Sequence, residues 1–294
     1  MNKIVNFGSI NIDHVYRVEH LVKPGETQMC LDYQRCSGGK GLNQSIALAH
    51  AGAEVYHAGK LNAADDWLIK LMREHGVDTR YVKTCGQPTG HAVIQVDGQG
   101  DNCIVIVGGA NQAIEIDDIQ TVLANFSACD ALLVQNEVSH VAEILSMAHA
   151  QGLMTVFNPA PMHSAVLKYP FNCVDILVLN ETEALSLTRQ TTPEQTAEYL
   201  RFLYPNLQLL LTRGRQGAHY FSRDAHYNVP AKSVEAVDTT AAGDTFLGFF
   251  LAELMREQNP TRALQLATEA AAICVTRSGA AESIPLKTEM IAEI

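Results

Sequence analysis

Short apolar runs alternate along the chain with segments whose apolar residues recur at helical spacing. The runs are "KIVNFGSI" (3–10), "EVYHAGK" (54–60), "DALLVQN" (130–136), "MTVFNPA" (154–160), "DILVLN" (175–180) and "LQLLLTRG" (207–214). Near-continuous apolar runs of this length fit strands buried on both faces, the condition of a parallel sheet covered by helices. Helical patterns fall at 40–51, 64–75, 116–125, 138–151, 193–204, 241–257 and 261–276. The alternation predicts an α/β fold, a doubly wound and mostly parallel sheet flanked by helices. Two regions, 12–36 and 81–107, break the rhythm. In the second, the polar turn "DGQGDN" separates two strand-like runs, as in a hairpin. Together they predict a small extra β-sheet, placed as a lid near the strand ends where α/β proteins bind ligands. With no internal repeat or long linker, residues 1–294 read as one domain with these excursions.

Polar residues at the strand ends carry the candidate chemistry. In "VDTTAAGDTFLG" (237–248), small residues precede Asp244 at the start of an apolar helix pattern. They leave room for the unpaired N–H groups of a first helical turn to meet an anion, and Asp244 then stands beside that anion as a base. The same stretch also suits a plain N-capped helix. "SGGKGLNQS" (37–45) has no phosphate-loop or dinucleotide glycine spacing, yet Lys40 and Asn43 offer donors at a helix entrance. In "GSINIDHV", Asn11 and Asp13 follow the first strand, a turn pair or a grip on a polyol. "LVLNETEAL" places Asn180 at a strand end with Glu181 and Glu183 after it, which suits either a helix cap or a hydrated Mg²⁺. "LTRGRQGAHY" brings Thr212, Gly214 and Gly217 into a loop that turns or wraps a phosphate.

Bulk composition narrows the partners. A chain of 294 residues, 47% of them hydrophobic, supports a large core, and a formal net charge of −11 argues against nucleic acid or an anionic membrane surface. An anionic substrate would therefore be held by local donors. Seven cysteines without a Cys-x-x-Cys pair, and an opening without a signal-peptide pattern, predict reduced thiols in a cytoplasmic protein. No apolar run reaches the length of a membrane span.

From Ile4 to about Pro285 the chain resembles the ribokinase and phosphofructokinase-B type of sugar kinases. It carries both signatures, Gly-Gly-Lys-Gly-x-Asn at 38–43 and Asp-Thr-x-Ala-Ala-Gly-Asp at 238–244. "GSINIDH", "KPGET", "GGANQAI", "NPAP", "NETEA" and "VTRSGA" also match family segments, in the same order. The resemblance implies an ATP-dependent kinase acting on the 5-hydroxyl of D-ribose, with Asp244 as general base and the N–H groups of Ala241, Ala242 and Gly243 as the anion hole. It assigns Asn11, Asp13, Gly39, Lys40, Asn43 and Glu137 to the sugar hydroxyls, and Ala92 and Ile104 to an apolar cover in the lid. Asn180, Thr212, Gly214, Gly217 and Thr268 fall along the nucleotide, and Glu183 toward Mg²⁺ through water. Asp238, Thr240, Cys274, Arg277, Gly279 and Ser283 would surround a monovalent cation, K⁺ in this family. A homodimer joined through the lid is a further expectation.

Three positions depart from the pattern: Arg213, where relatives often have an uncharged residue; Thr268, near where they place a histidine against adenine; and His91 in the lid. Deoxyribose, another pentose, a hexose or a nucleoside are the alternative acceptors. A catalytically silent sugar-binding protein is the alternative of another class.

Overall fold

The computed structural model describes residues 2–290. In chain order the strands are β1 (Lys3–Phe7), β2 (Asn11–Arg17), β3 (Asp32–Gly38), β4 (Glu54–Asn62), β5 (Asp78–Cys85), β6 (Gly90–Val96), β7 (Asn102–Val107), β8 (Ala131–Gln135), β9 (Met154–Asn158), β10 (Ile176–Asn180), β11 (Gln208–Thr212), β12 (Ala218–Phe221) and β13 (His226–Val229). The α-helices are α1 (Lys40–His50), α2 (Trp67–Glu74), α3 (Ile116–Leu123), α4 (Val141–Ala150), α5 (Glu181–Thr188), α6 (Pro193–Leu203), α7 (Ala242–Glu257), α8 (Pro260–Val275) and α9 (Lys287–Met290).

Nine strands form one sheet in the order β13-β12-β11-β10-β9-β8-β1-β4-β5. It is parallel from β5 to β11, and β12 and β13 close it as an antiparallel edge. Alternate residues of each buried strand feed two cores. Ile4, Ala131 and Leu133 pack with α1, α2, α7 and α8 on one side, whereas Val5, Phe7, Leu132 and Val134 pack with α3 to α6 on the other. This two-sided burial is why the strands read as continuous apolar runs. The fully buried polar exceptions are Thr155, which donates to Cys173 C=O, and Asn6, His57 and Gln135, which are joined in one polar network described below.

The chain runs from β1 outward to β4 and β5 and then returns to place β8 on the other side of β1. The crevice at the C-terminal ends of β1 and β8 is thus the topological switch point, where open α/β sheets bind ligands. Above it stands a second sheet, β3-β2-β6-β7. The turn "DGQGDN" does join an antiparallel hairpin, β6 to β7. The lid is smaller than the sequence suggests, because residues 81–85 belong to β5 and pair in parallel with β4 in the main sheet. Their apolar and polar residues alternate weakly, so periodicity did not separate this edge strand from the excursion that follows it. The strands β12 and β13 also lay outside the expected elements, being short; α5 follows directly on β10, with the helix cap expected at Asn180.

Candidate active site

The start of α1 is built on close backbone contact. Gly39 caps the helix at φ 94°, a conformation that favours glycine, and a Cβ at Gly41 would overlap the backbone of Gly8 and Ser9. That approach lets Ser9 Oγ accept the Gly41 N–H at 3.1 Å while donating to Glu137 Oε2, and Glu137 Oε2 also accepts the Lys40 N–H at 3.2 Å. Glu137, just beyond β8, is thereby fixed against the turn after β1. Burial pushes its carboxyl above the usual carboxylate range, although the Ser9 hydroxyl and Lys40 pull the other way.

Lys40, Asn43 and Gln44 lie at i, i+3 and i+4 of α1 and therefore share a face. That face meets the first turn of α7. Asn43 Nδ2 donates to Asp244 Oδ2 at 3.2 Å and Gln44 Nε2 donates to Asp244 Oδ1 at 2.8 Å. Asp244 is 9% exposed. Its negative charge, with those of Glu137 and Glu183, holds the Lys40 ammonium above the ordinary lysine value against the opposing effect of burial. The turn before Asp244 has Ala241 at φ 60°, in the left-handed region, and Ala242 N–H engages Thr239 C=O only at 3.3 Å. Around Gly243 the space is open, with nothing within 4 Å of where a Cβ would stand.

The lid brings a second group of residues to the crevice. Asn11 begins β2, and its Oδ1 accepts from Asn111 Nδ2 at 2.7 Å, so Asn111 fixes the amide orientation. In the cross-strand register, Asp13 stands between Cys36 of β3 and Ala92 of β6. A Cβ at Gly38 would overlap the whole Asp13 carboxylate, so glycine there is what makes room for the acid. Burial, reinforced by the charge of Glu137, pushes the Asp13 carboxyl up to about 6. Ala92 is buried and pairs with Ile106, whereas Ile104 pairs with Ile94 and is 49% exposed on the outer strand of the lid. Ala92 and Ile104 are thus diagonal neighbours on one face of the lid, with Ala92 directly beside Asp13.

Asn180 and Glu183 form a capping box on α5. Asn180 Oδ1 accepts the Glu183 N–H, and Glu183 Oε2 accepts the Asn180 N–H, each at 2.9 Å. Burial raises the Glu183 carboxyl above its ordinary value. Thr212 ends β11, Gly214 and Gly217 hold the next loop at φ 51° and 91°, and Arg213 Nε pairs with Glu181 Oε1 at 3.0 Å. A Cβ at Gly217 would overlap Val229 C=O, which ties this loop to the end of β13. Thr268 is buried in α8 with its Oγ1 unpartnered among the described residues.

The residues expected around a cation converge in part. Asp238 Oδ1 accepts the Thr240 N–H at 2.9 Å and Oδ2 accepts the Gly279 N–H at 3.1 Å, so the carboxylate ties two loops together. Burial opposes its charge, but these hydrogen bonds win and keep its pKa below the usual value. Cys274 Sγ and Ser283 Oγ lie 3.1 Å apart beneath the same loops. Arg277 turns its guanidinium to Glu289 instead, leaving only its backbone near them.

Sequence reasoning missed Gln44, Asn111 and Ser9. For Gln44 a signal existed, since it adjoins Asn43 and shares the helical face of Lys40.

The model of the pfkB family carbohydrate kinases matches residues 1–287. The chain belongs to the pfkB family of carbohydrate kinases. Among family members, the ribokinase of Staphylococcus aureus (strain COL) is 35% identical, with 98% of each chain covered. A deoxyribokinase of Salmonella typhi is 31% identical, over 96% of this chain and 95% of its own. The crystal structure of a ribokinase from Cryptococcus neoformans with ADP superposes with a TM-score of 0.88 at 30% identity, covering both chains fully. That of Arabidopsis thaliana ribokinase with ribose and ATP gives 0.85 at 30% identity, over 99% of this chain and 98% of its own. This family member is an ATP-dependent sugar kinase, and no described helix is long and apolar enough to cross a membrane.

Proposed function

We propose that the chain transfers the γ-phosphoryl group of ATP to the 5-hydroxyl of D-ribose. The observation that carries this reading is the meeting of Asp244 with Asn43 and Gln44 beside Lys40 and Glu137, with Asp13 and Asn11 brought to the same crevice by the lid. Asp244 takes the proton of the sugar hydroxyl, that oxygen forms the new bond to the γ-phosphorus, and the bond to the β-γ bridging oxygen breaks to release ADP. Open N–H groups at Ala241 and Gly243, with that of Ala242 held only by a 3.3 Å bond to Thr239 C=O, stabilise charge on the transferring group. Asp13 and Glu137 accept from sugar hydroxyls while Asn11, Lys40 and Asn43 donate. Ala92 and the backbone of Gly39 shape the rest of the pocket.

The nucleotide lies along Asn180, Thr212, Gly214 and Gly217, with Thr268 near the base. Glu183 keeps one carboxylate oxygen outside the capping box, which suits a hydrated Mg²⁺ held through water; that ion neutralises phosphate charge when bound. The loops tied by Asp238 suit K⁺ held by the backbone of Thr240, Arg277 and Gly279 with Ser283 and Cys274 nearby, and the ion would order the turn that leads to Gly243. The row of exposed apolar residues Ile104 to Val107 on the outer strand of the lid supports pairing of two chains there. All seven cysteines are free, which supports a cytoplasmic setting.

The test compares initial rates for D-ribose, 2-deoxyribose, fructose and adenosine with Mg-ATP and potassium. A pocket whose buried polar groups lose a partner with deoxyribose predicts a ribose preference in kcat/KM of at least about tenfold, roughly 1.4 kcal/mol. Preference for any of the others overturns ribose as the acceptor.

A further inference from the structure

Far from the crevice, at the antiparallel edge of the main sheet, two histidines and a glutamate converge without a part in the reaction above. His219 of β12 and His226 of β13 are diagonal neighbours on one face of the hairpin, since Phe221 pairs directly with His226. The opposite face carries Tyr220 and Tyr227, and Tyr220 packs on Phe250 in the core. The histidine rings are held in a stack: Phe221 and His226 are 4.0 Å apart at 9°, and His219 and His226 are 5.2 Å apart at 16°. Stacking aims His219 Nδ1 and His226 Nε2 at a common point, 2.9 Å from each other. Over them lies α6, fastened to the hairpin by Arg201 Nη2 donating to Ser222 C=O at 2.9 Å. Its first turn sets Glu194 above the pair, so that one atom from each of the three side chains lies within 4.8 Å of the others. Thr192 already caps α6, so the helix does not need the Glu194 side chain, which pairs with nothing among the described residues.

We infer that Glu194, His219 and His226 form a site for a borderline divalent transition-metal ion, Zn²⁺ above all. Two imidazoles and one carboxylate are a common donor set for this ion, whose ligand distances of about 2.0–2.2 Å place donor atoms roughly 3.3–3.5 Å apart. The histidine nitrogens need to separate only slightly, and the remaining adjustment falls on the exposed Glu194. The proton shared by the two rings moves to His219 Nε2 or His226 Nδ1, so both rings stay neutral and each offers a lone pair. A fourth position opens on a depression of about 630 Å³ between α6 and the hairpin, lined by Glu198, Arg201 and Phe202, with room for water. Hard cations such as Mg²⁺ do not favour this donor set, which separates it from any ion that accompanies ATP.

The experiment titrates the full-length, tag-free protein, first freed of metal with a chelator, with Co²⁺ and then displaces it with Zn²⁺. One equivalent of Co²⁺ should give the intense visible absorption of a tetrahedral site without the near-ultraviolet band of thiolate ligation. His219→Ala and His226→Ala should each weaken binding by at least about tenfold, with Glu194→Gln weaker than wild type, while Asp244→Asn binds Co²⁺ as the wild type does. All three side chains are partly or fully exposed, so losing the histidine stack should lower metal-free melting temperatures only slightly and leave the fold intact. Should a histidine variant fail to fold, an anomalous difference map at the zinc edge from wild-type crystals locates the ion directly. Absence of a saturable signal, a signal that survives both histidine substitutions, or density elsewhere overturns the site.

Discussion

Gln44 Nε2 donates to Asp244 Oδ1 at 2.8 Å, and Gln44 is itself held by Gln135, whose Nε2 donates to Gln44 Oε1 at 2.6 Å. The amide of Gln44 can therefore point only one way. Behind it the network runs through Asn6 Oδ1, Asn6 Nδ2 to Ser45, and Ser45 to His57, which burial pushes down to about 4 and so keeps neutral. Each link removes rotational freedom from the group that orients Asp244. Replacing Gln44 with Leu leaves an acceptor on Asp244 and a donor on Gln135 unsatisfied, at about 1–3 kcal/mol each. The variant should melt lower and lose turnover while the KM for ATP changes little; unchanged kcat with the expected loss of stability would make Gln44 purely structural.

Asp244→Asn should spare the fold. Asn43 Oδ1 is buried without a partner among the described residues, so a flip of the Asn43 amide lets it accept from the amide introduced at position 244 while Gln44 still donates to the other end. Turnover should fall on the order of 10² to 10⁴-fold with ribose and ATP binding nearly intact, as calorimetry and steady-state rates would reveal. Near-normal turnover would remove Asp244 from the role of base.

Asp13 gives a pH dependence with a definite sign. Its folded pKa of about 6 lies above the ordinary value of 3.8, so the folded state takes up the proton first and the protein loses stability as pH rises from about 4 to 6. Sugar binding runs the other way, since only the carboxylate accepts from two hydroxyls. Ribose affinity should fall as pH drops through about 6, and Asp13→Asn should bind ribose weakly with a flatter pH profile while melting higher than wild type at neutral pH. A profile identical to that of wild type would place the titrating group elsewhere.

Two glycines near the crevice should respond oppositely to alanine. At Gly41 a methyl group overlaps the backbone of Gly8 and Ser9, so Gly41→Ala should fold poorly. At Gly243 it meets open space, so Gly243→Ala should melt like wild type and lose kcat where the methyl enters the region of the transferring phosphoryl group. Thermal melts and rates measured on both variants decide this.

Ion replacement tests the loops joined by Asp238. Exchange of K⁺ for a bulky organic cation should lower kcat, and Asp238→Ala, which frees the Thr240 and Gly279 N–H groups, should remove the difference between the two salts.

The parallel sheet, the lid hairpin and the Asp244 turn were legible because each depends on local pattern: apolar runs, a polar turn and small residues before an acid. What escaped depends on partners distant in sequence. Residues 81–85 looked like lid until their pairing with β4 placed them in the main sheet, and Asn111 acquires its purpose only when the lid brings Asn11 to it. Asn180 and Glu183 carried two readings; the capping box is present, and it leaves one Glu183 oxygen for the other.

The space that Gly38 yields to the Asp13 carboxylate binds the histories of two positions together. While the acid remains, no side chain can enter at 38; once the acid is lost, the glycine has no steric reason to persist. Related chains that abandoned Asp13 should therefore show drift at 38, and a chain holding the acid with a larger residue at 38 must have moved β3 away from β2. The pair is a co-varying unit, and its joint presence marks a lid still shaped around a buried carboxylate.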